Sequence, residues 1–143
     1  MPTELEDGRD TTEQKIYVLV VDDEPLLCRM ISAMLIRAGY DTSVVNNGMD
    51  VLPSVLNRLP ELITLDVMMP DMSGIEVASQ LRSNPATAHI PIVFVTALDR
   101  SVSMDLRRFL EEPHVYHVDK PFSREQLLGQ LTIALNARQA VAA

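Results

Sequence analysis

Asp22, Asp23, Asp66, Thr96 and Lys120 are the residues whose types could do chemistry together. Each stands at the end of a short apolar run. Carboxylates gathered into one crevice repel each other, and without a counter-charge at least one pKa rises. A hard dication relieves the repulsion, and Mg²⁺ binds through a few carboxylates while keeping waters. Lys120 offers a second counter-charge, a compact ammonium on a flexible stem. Thr96 offers a hydroxyl that can donate to an oxyanion. Such a set suits phosphoryl transfer to a carboxylate: the acid attacks, positive charge neutralises the phosphoryl oxygens, and little other machinery is required. Taken singly, each residue has a plainer reading. An Asp after a strand is often a helix cap or turn former, Thr96 a strand residue or cap, and Lys120 a solvated charge. Their coincidence at the ends of four apolar runs is what points to a site.

The elements that must position them alternate between two textures. β-branched apolar runs cover 16–21, 42–45, 62–65, 90–95 and 115–118. The first, third and fourth are nearly continuous in apolar residues, as strands covered on both faces are. Between them lie helical patterns. Leu27, Met30, Ile31, Met34 and Leu35 share a face, with Pro25 in the first turn and Gly39 past the end. Met49, Val51, Leu52, Val55 and Leu56 also look helical. Pro53 among them predicts a late start or a bend. Ser73 opens a helix marked by Ile75, Ala78 and Leu81. Val102, Leu106, Phe109 and Leu110 mark the next, with residues 99–101 as its cap. Ser123 and Gln126 make a capping box, with Phe122 stapled onto Leu127, ahead of a stripe at Leu127, Leu128, Leu131 and Leu135.

β-α repeated five times predicts an α/β fold: a flavodoxin-like doubly wound (βα)5 with a parallel five-stranded sheet in order 2-1-3-4-5. Ligands of such sheets bind outside the carboxyl ends of the strands, where the winding reverses. Strands one and three adjoin there, so Asp22, Asp23 and Asp66 should share one crevice.

The 143 residues suit one domain, read as 15–137 between a polar lead-in (1–14) and a tail (138–143) that is either helix end or linker stub. Aromatics make up only 4%, so the core must be aliphatic. A net charge of −8 argues against direct nucleic-acid binding and leaves a basic protein partner open. No apolar stretch is long enough for a signal peptide or a membrane span, and the expected setting is the cytoplasm. The single cysteine, Cys28, reads as a small buried hydrophobe. His89 and His114 lack ligand-spaced companions and read as surface residues.

Four segments carry a family resemblance: Val20-Val21-Asp22-Asp23-Glu24-Pro25, Leu65-Asp66-Val67-Met68-Met69-Pro70-Asp71-Met72-Ser73-Gly74, Phe94-Val95-Thr96-Ala97 and Asp119-Lys120-Pro121-Phe122. Together, over roughly 16–136, they resemble the receiver domain of bacterial two-component response regulators. The resemblance implies that Asp66 accepts a phosphoryl group from a histidine kinase or histidine phosphotransfer protein. It implies that Asp22, Asp23, Asp66 and the backbone carbonyl of Met68 hold Mg²⁺. Thr96 and Lys120 would engage the phosphoryl group, Gly74 would end the loop after the acceptor, and the Lys120–Pro121 bond is often cis in this family. The activity implied is Mg²⁺-dependent self-phosphorylation and autodephosphorylation at Asp66 rather than conventional enzymatic turnover. Its consequence would be an altered face read by a downstream protein or output domain. Too few residues follow the last helix for an output domain, which leaves a stand-alone regulator or a receiver cut from a longer chain.

Receivers usually carry Tyr or Phe three residues before that Lys; this sequence has His117, with Tyr116 beside it. The segment 110–115 lacks the small turn common there. His117 has three readings, in order: a buried neutral histidine, a switch residue replacing the aromatic, or a proton-sensitive element. A non-phosphorylated interaction module of the same fold is the alternative function, and the intact set of five residues argues against it. An aspartyl phosphohydrolase of the haloacid-dehalogenase kind would need a second Asp two residues after its nucleophile; Glu24 and Met68 stand there. No Gly-rich phosphate loop follows the first strand.

Overall fold

The computed structural model describes residues 14–97 and 104–142. The expected lead-in through residue 13, the cap at 99–101 and Val102 lie outside them. Five strands alternate with five helices: β1 (Tyr17–Val21), α1 (Pro25–Arg37), β2 (Asp41–Val45), α2 (Val51–Asn57), β3 (Leu62–Leu65), α3 (Gly74–Ser83), β4 (Ile92–Thr96), α4 (Met104–Leu110), β5 (Val115–Asp119) and α5 (Arg124–Ala142). All pairings are parallel, in the order β2-β1-β3-β4-β5.

The continuous apolar runs are the central strands, and every residue of β1, β3 and β4 is buried. Alternation divides them between two cores. Leu19, Val21, Ile63, Leu65, Ile92 and Phe94 pack under α2, α3 and α4, with Val55, Leu81 and Leu106. Val18, Val20, Leu62, Val93 and Val95 pack under α1 and α5, with Ile31, Leu35, Leu127 and Leu131. Both are mainly aliphatic. Phe94 is the aromatic exception, meeting Phe109 edge-on at 6.3 Å between ring centroids.

Local chemistry sets the boundaries. β4 begins at Ile92, later than the apolar run, because the Ile90 N–H closes a turn onto Thr87 and Pro91 has no N–H to pair. α2 starts at Val51, so Pro53 falls in its first turn, where a missing N–H costs nothing. α1 ends at Arg37, and Gly39 just beyond it takes a φ of 100° that lets Tyr40 N–H reach back to Leu35 O. Its buried stripe is Cys28, Ile31 and Leu35, with Leu27 and Met34 at the flanks; Met30 is turned to solvent, 45% exposed. Both capping boxes are reciprocal. Ser123 N–H donates to Gln126 and Gln126 N–H to Ser123 Oγ, and Ser73 pairs with Glu76 in the same way. Alanine-rich sequence has no breaker after residue 137, and α5 runs on to Ala142.

His114 departs from its surface reading. It is half-buried and takes a φ of 64° at the turn feeding β5, a position that His tolerates better than most side chains. Its carbonyl accepts from Ile92 N–H and, at 3.3 Å, from Arg82, whose other nitrogen donates to Ile90 O at 2.8 Å. Burial lowers the Arg82 pKa, yet the guanidinium stays charged and stitches α3 to the entries of β4 and β5. Arg82→Met keeps the stem and removes both donors. It should destabilise the fold by about 1–3 kcal/mol, read as a lower urea midpoint at unchanged slope.

Candidate active site

The register places the acids. Val21 pairs with Leu65 across β1 and β3, so the next residues, Asp22 and Asp66, stand side by side. Asp66 N–H donates to Val21 O at 3.1 Å, and Asp22 N–H to Val45 O at 3.2 Å, extending the ladders one step past the strands. Asp22 and Asp66 are buried and Asp23 is half-buried. One ligand oxygen from each of the three lies within 4.8 Å of the others, the only such group of His, Cys, Asp or Glu among the described residues.

Thr96 closes β4 fully buried, and its carbonyl accepts from Lys120 N–H at 3.0 Å, which ties the start of the β5–α5 loop to the crevice. Lys120 Nζ reaches Asp22 Oδ2 at 2.8 Å and Asp66 Oδ2 at 3.4 Å. The Lys120–Pro121 bond is cis. Met68 N–H approaches Asp66 Oδ1 at 3.4 Å, with the Met68 side chain in solvent.

Burial first, then the charge of Asp22, raises the Asp66 pKa; Lys120 and the Met68 N–H offset this only in part. Burial works against the Lys120 charge, but its hydrogen bond to Asp22 and the attraction of both acids win, and its pKa is raised. The crevice thus holds more negative charge than its lysine neutralises. Hard oxygen donors in this arrangement fit a small divalent cation.

All five residues singled out from the sequence meet here or border it. The His117 side chain is 13% exposed, with Nε2 2.7 Å from Asp119 Oδ1, so it is neither sealed in apolar surroundings nor free.

Three neighbours were not legible as site residues. The Asp71 carboxylate accepts from Gly48 N–H at 3.0 Å and Met49 N–H at 2.8 Å, bonds that hold its pKa down and latch the loop after Asp66 to the loop after β2. Asn46 Nδ2 donates to Asp22 O at 2.9 Å. Cys28 is buried as expected, but its Sγ also lies 3.3 Å from Asp22 O. Nothing in spacing announces these contacts, because each joins segments that are distant or unrelated in local pattern: the loop after β3 with the loop after β2, the loop after β2 with Asp22, and α1 with Asp22.

Residues 18–132 match the family described as response regulator receiver domain. The DNA-binding response regulator MtrA of Mycolicibacterium smegmatis (strain ATCC 700084 / mc(2)155) is 36% identical over 130 residues, covering 91% of this chain and 54% of that protein. The chain therefore spans about half the length of the curated relatives it matches. Chemotaxis response regulator CheY4 of Vibrio cholerae superposes with a TM-score of 0.76 at 27% identity, over 85% of this chain and 100% of CheY4. A CheY-like receiver domain protein from Methanospirillum hungatei JF-1 gives 0.79 at 20% identity, over 89% and 98%.

Proposed function

The chain belongs to the response regulator receiver domain family, and on that footing we propose that Asp66 is the residue through which it is switched. A receiver is a phosphorylation-controlled signalling domain. The carrying observation is the convergence of Asp22, Asp23 and Asp66 on one point, with Lys120 against Asp22 and Asp66, at the carboxyl ends of the strands where the winding reverses.

Asp66 attacks the phosphorus of a phosphohistidine on a histidine kinase or phosphotransfer protein. The P–N bond breaks, the imidazole leaves with the electron pair, and an acyl phosphate forms. Water later attacks the phosphorus, releasing inorganic phosphate and restoring the carboxylate. Asp22, Asp23, Asp66 and the Met68 carbonyl are the residues that would hold Mg²⁺. When bound, Mg²⁺ supplies positive charge that neutralises phosphoryl oxygens. Lys120 is already within reach of both acids, and its ammonium transfers its pairing to the phosphoryl group. The Thr96 hydroxyl donates to the same group. These shifts bias a two-state equilibrium of the face formed by α4 and β5, which a downstream protein or output domain reads. The acidic chain, at net charge −8, supports a protein reader in the cytoplasm over direct nucleic-acid contact by this domain. No described helix is long and apolar enough to cross a membrane.

The test is intact-mass measurement after incubation with acetyl phosphate. One phosphoryl mass should appear with Mg²⁺ and vanish with a chelator. Absence of any adduct would leave a fold used only for interaction.

A further inference from the structure

Two of the proposed metal ligands, Asp22 and Asp23, hang from one peptide unit, and the orientation of that unit decides where both carboxylates point. Its carbonyl, Asp22 O, is the atom on which two side chains from other elements converge. Asn46, just past β2, donates from Nδ2 at 2.9 Å. Cys28, on α1, lies with its Sγ at 3.3 Å. The two also meet each other, Asn46 Nδ2 to Cys28 Sγ at 3.4 Å.

The donor pattern is self-consistent. One amide hydrogen of Asn46 goes to the carbonyl and the other to the sulfur, while the thiol hydrogen goes to the carbonyl. This requires a protonated thiol. The rest of Asp22 is engaged as well: its N–H with Val45 O, Oδ1 with Glu24 N–H at 3.0 Å, and Oδ2 with Lys120. Asn46 and Cys28 complete this set at the peptide that joins the two acids.

We infer that Asn46 and Cys28 are positioning residues for the metal ligands, clamping the Asp22–Asp23 peptide so that both carboxylates are pre-oriented toward the cation. The inference rests on the reading of Asp22, Asp23 and Asp66 as the Mg²⁺ site. Asn46 is exposed as a residue, with only its amide turned inward, so its replacement leaves the core intact.

The experiment is isothermal titration of Mg²⁺ into the unphosphorylated protein, under conditions where urea unfolding shows each variant fully folded. Asn46→Leu keeps the length, removes the donor and shields the carbonyl from water. It should raise the Mg²⁺ Kd about three- to tenfold, the equivalent of one hydrogen bond. Acetyl phosphate labelling should return to the wild-type rate once Mg²⁺ saturates. Cys28→Ala should weaken binding in the same direction, and Cys28→Ser, which keeps a hydroxyl donor, should restore it. Unchanged Kd in both Asn46→Leu and Cys28→Ala overturns the clamp. So does a Cys28→Ser variant as weak as Cys28→Ala, which would reduce Cys28 to packing. A wild type that binds no Mg²⁺ overturns the metal-site reading and this inference together. A wild type that binds normally, with variants that match it, removes the clamp alone.

Discussion

Asp66→Asn is expected to take up no phosphoryl group from acetyl phosphate and, in metal-free buffer at neutral pH, to resist urea better than the wild type. The first result follows because an amide offers no anionic oxygen to attack phosphorus. The second follows from linkage. Folding raises the Asp66 pKa above its ordinary value of 3.8, by burial first and by Asp22 second. Between that ordinary value and the raised one, the folded chain holds a proton that the unfolded chain has released. The group's contribution to stability is complete below the window and falls as pH rises through it. Above it, an ionised Asp66 is a burden on the fold, which Asn, an uncharged acceptor of similar shape, does not impose. The stability difference between variant and wild type should be small at low pH, grow through the window, and level off. Comparing the two proteins cancels the titrations they share. Mg²⁺ should reverse the order, because ligand binding stabilises the protein that binds more tightly, and the variant has lost one anionic ligand. Labelling of Asp66→Asn at the wild-type rate would remove Asp66 as acceptor. A stability difference flat in pH would remove the electrostatic account of its pocket.

Gly74→Ala is expected to slow acyl phosphate formation at Asp66 by about 10²-fold, the typical cost of misplacing a reacting group by about 1 Å. Gly74 is buried at the first turn of α3, and its N–H donates to Val67 O at 2.9 Å. A methyl group there would overlap the Asp66 carbonyl oxygen and lie 2.9 Å from both its carbon and Val67 Cα. All three obstacles are backbone, so no side chain can swing aside. Either α3 retreats or the segment carrying Asp66 moves. Overpacking of this kind costs about 1–3 kcal/mol. Urea unfolding gives the stability loss, and stopped-time mass spectrometry gives the labelling rate. A destabilised variant that labels at the wild-type rate would show that α3 yields and Asp66 stays, confining Gly74 to a structural role.

Much of the architecture was legible because it is written in short-range pattern. Continuous apolar runs are what buried parallel strands require, and β1, β3 and β4 are buried throughout. Caps, prolines and Gly39 act within a turn of themselves, so their effect can be read where they stand. Less legible was whatever depends on which neighbour lies across a gap. Met30 looked like part of the buried stripe, but α1 rolls to seat Cys28, Ile31 and Leu35 against the sheet, a choice made by the sheet and α5. The left-handed turn at His114 had only a missing small-residue motif as its signal, and a side chain tolerant of that conformation stands in its place.

By itself, the sequence determined that acids, a hydroxyl and a lysine would sit at the ends of apolar strands, and hence which chemistry they could share. Only the tertiary structure decided that Asp22 and Asp66 fall in register, that Lys120 touches both, and that Asn46, Cys28 and Asp71 brace the site from three other segments. The physical reason is range. Residue type and local periodicity are properties of neighbours along the chain, whereas electrostatic coupling and hydrogen bonding act over a few ångströms of space. Residues that sequence separates acquire those interactions only when the strands close into one sheet.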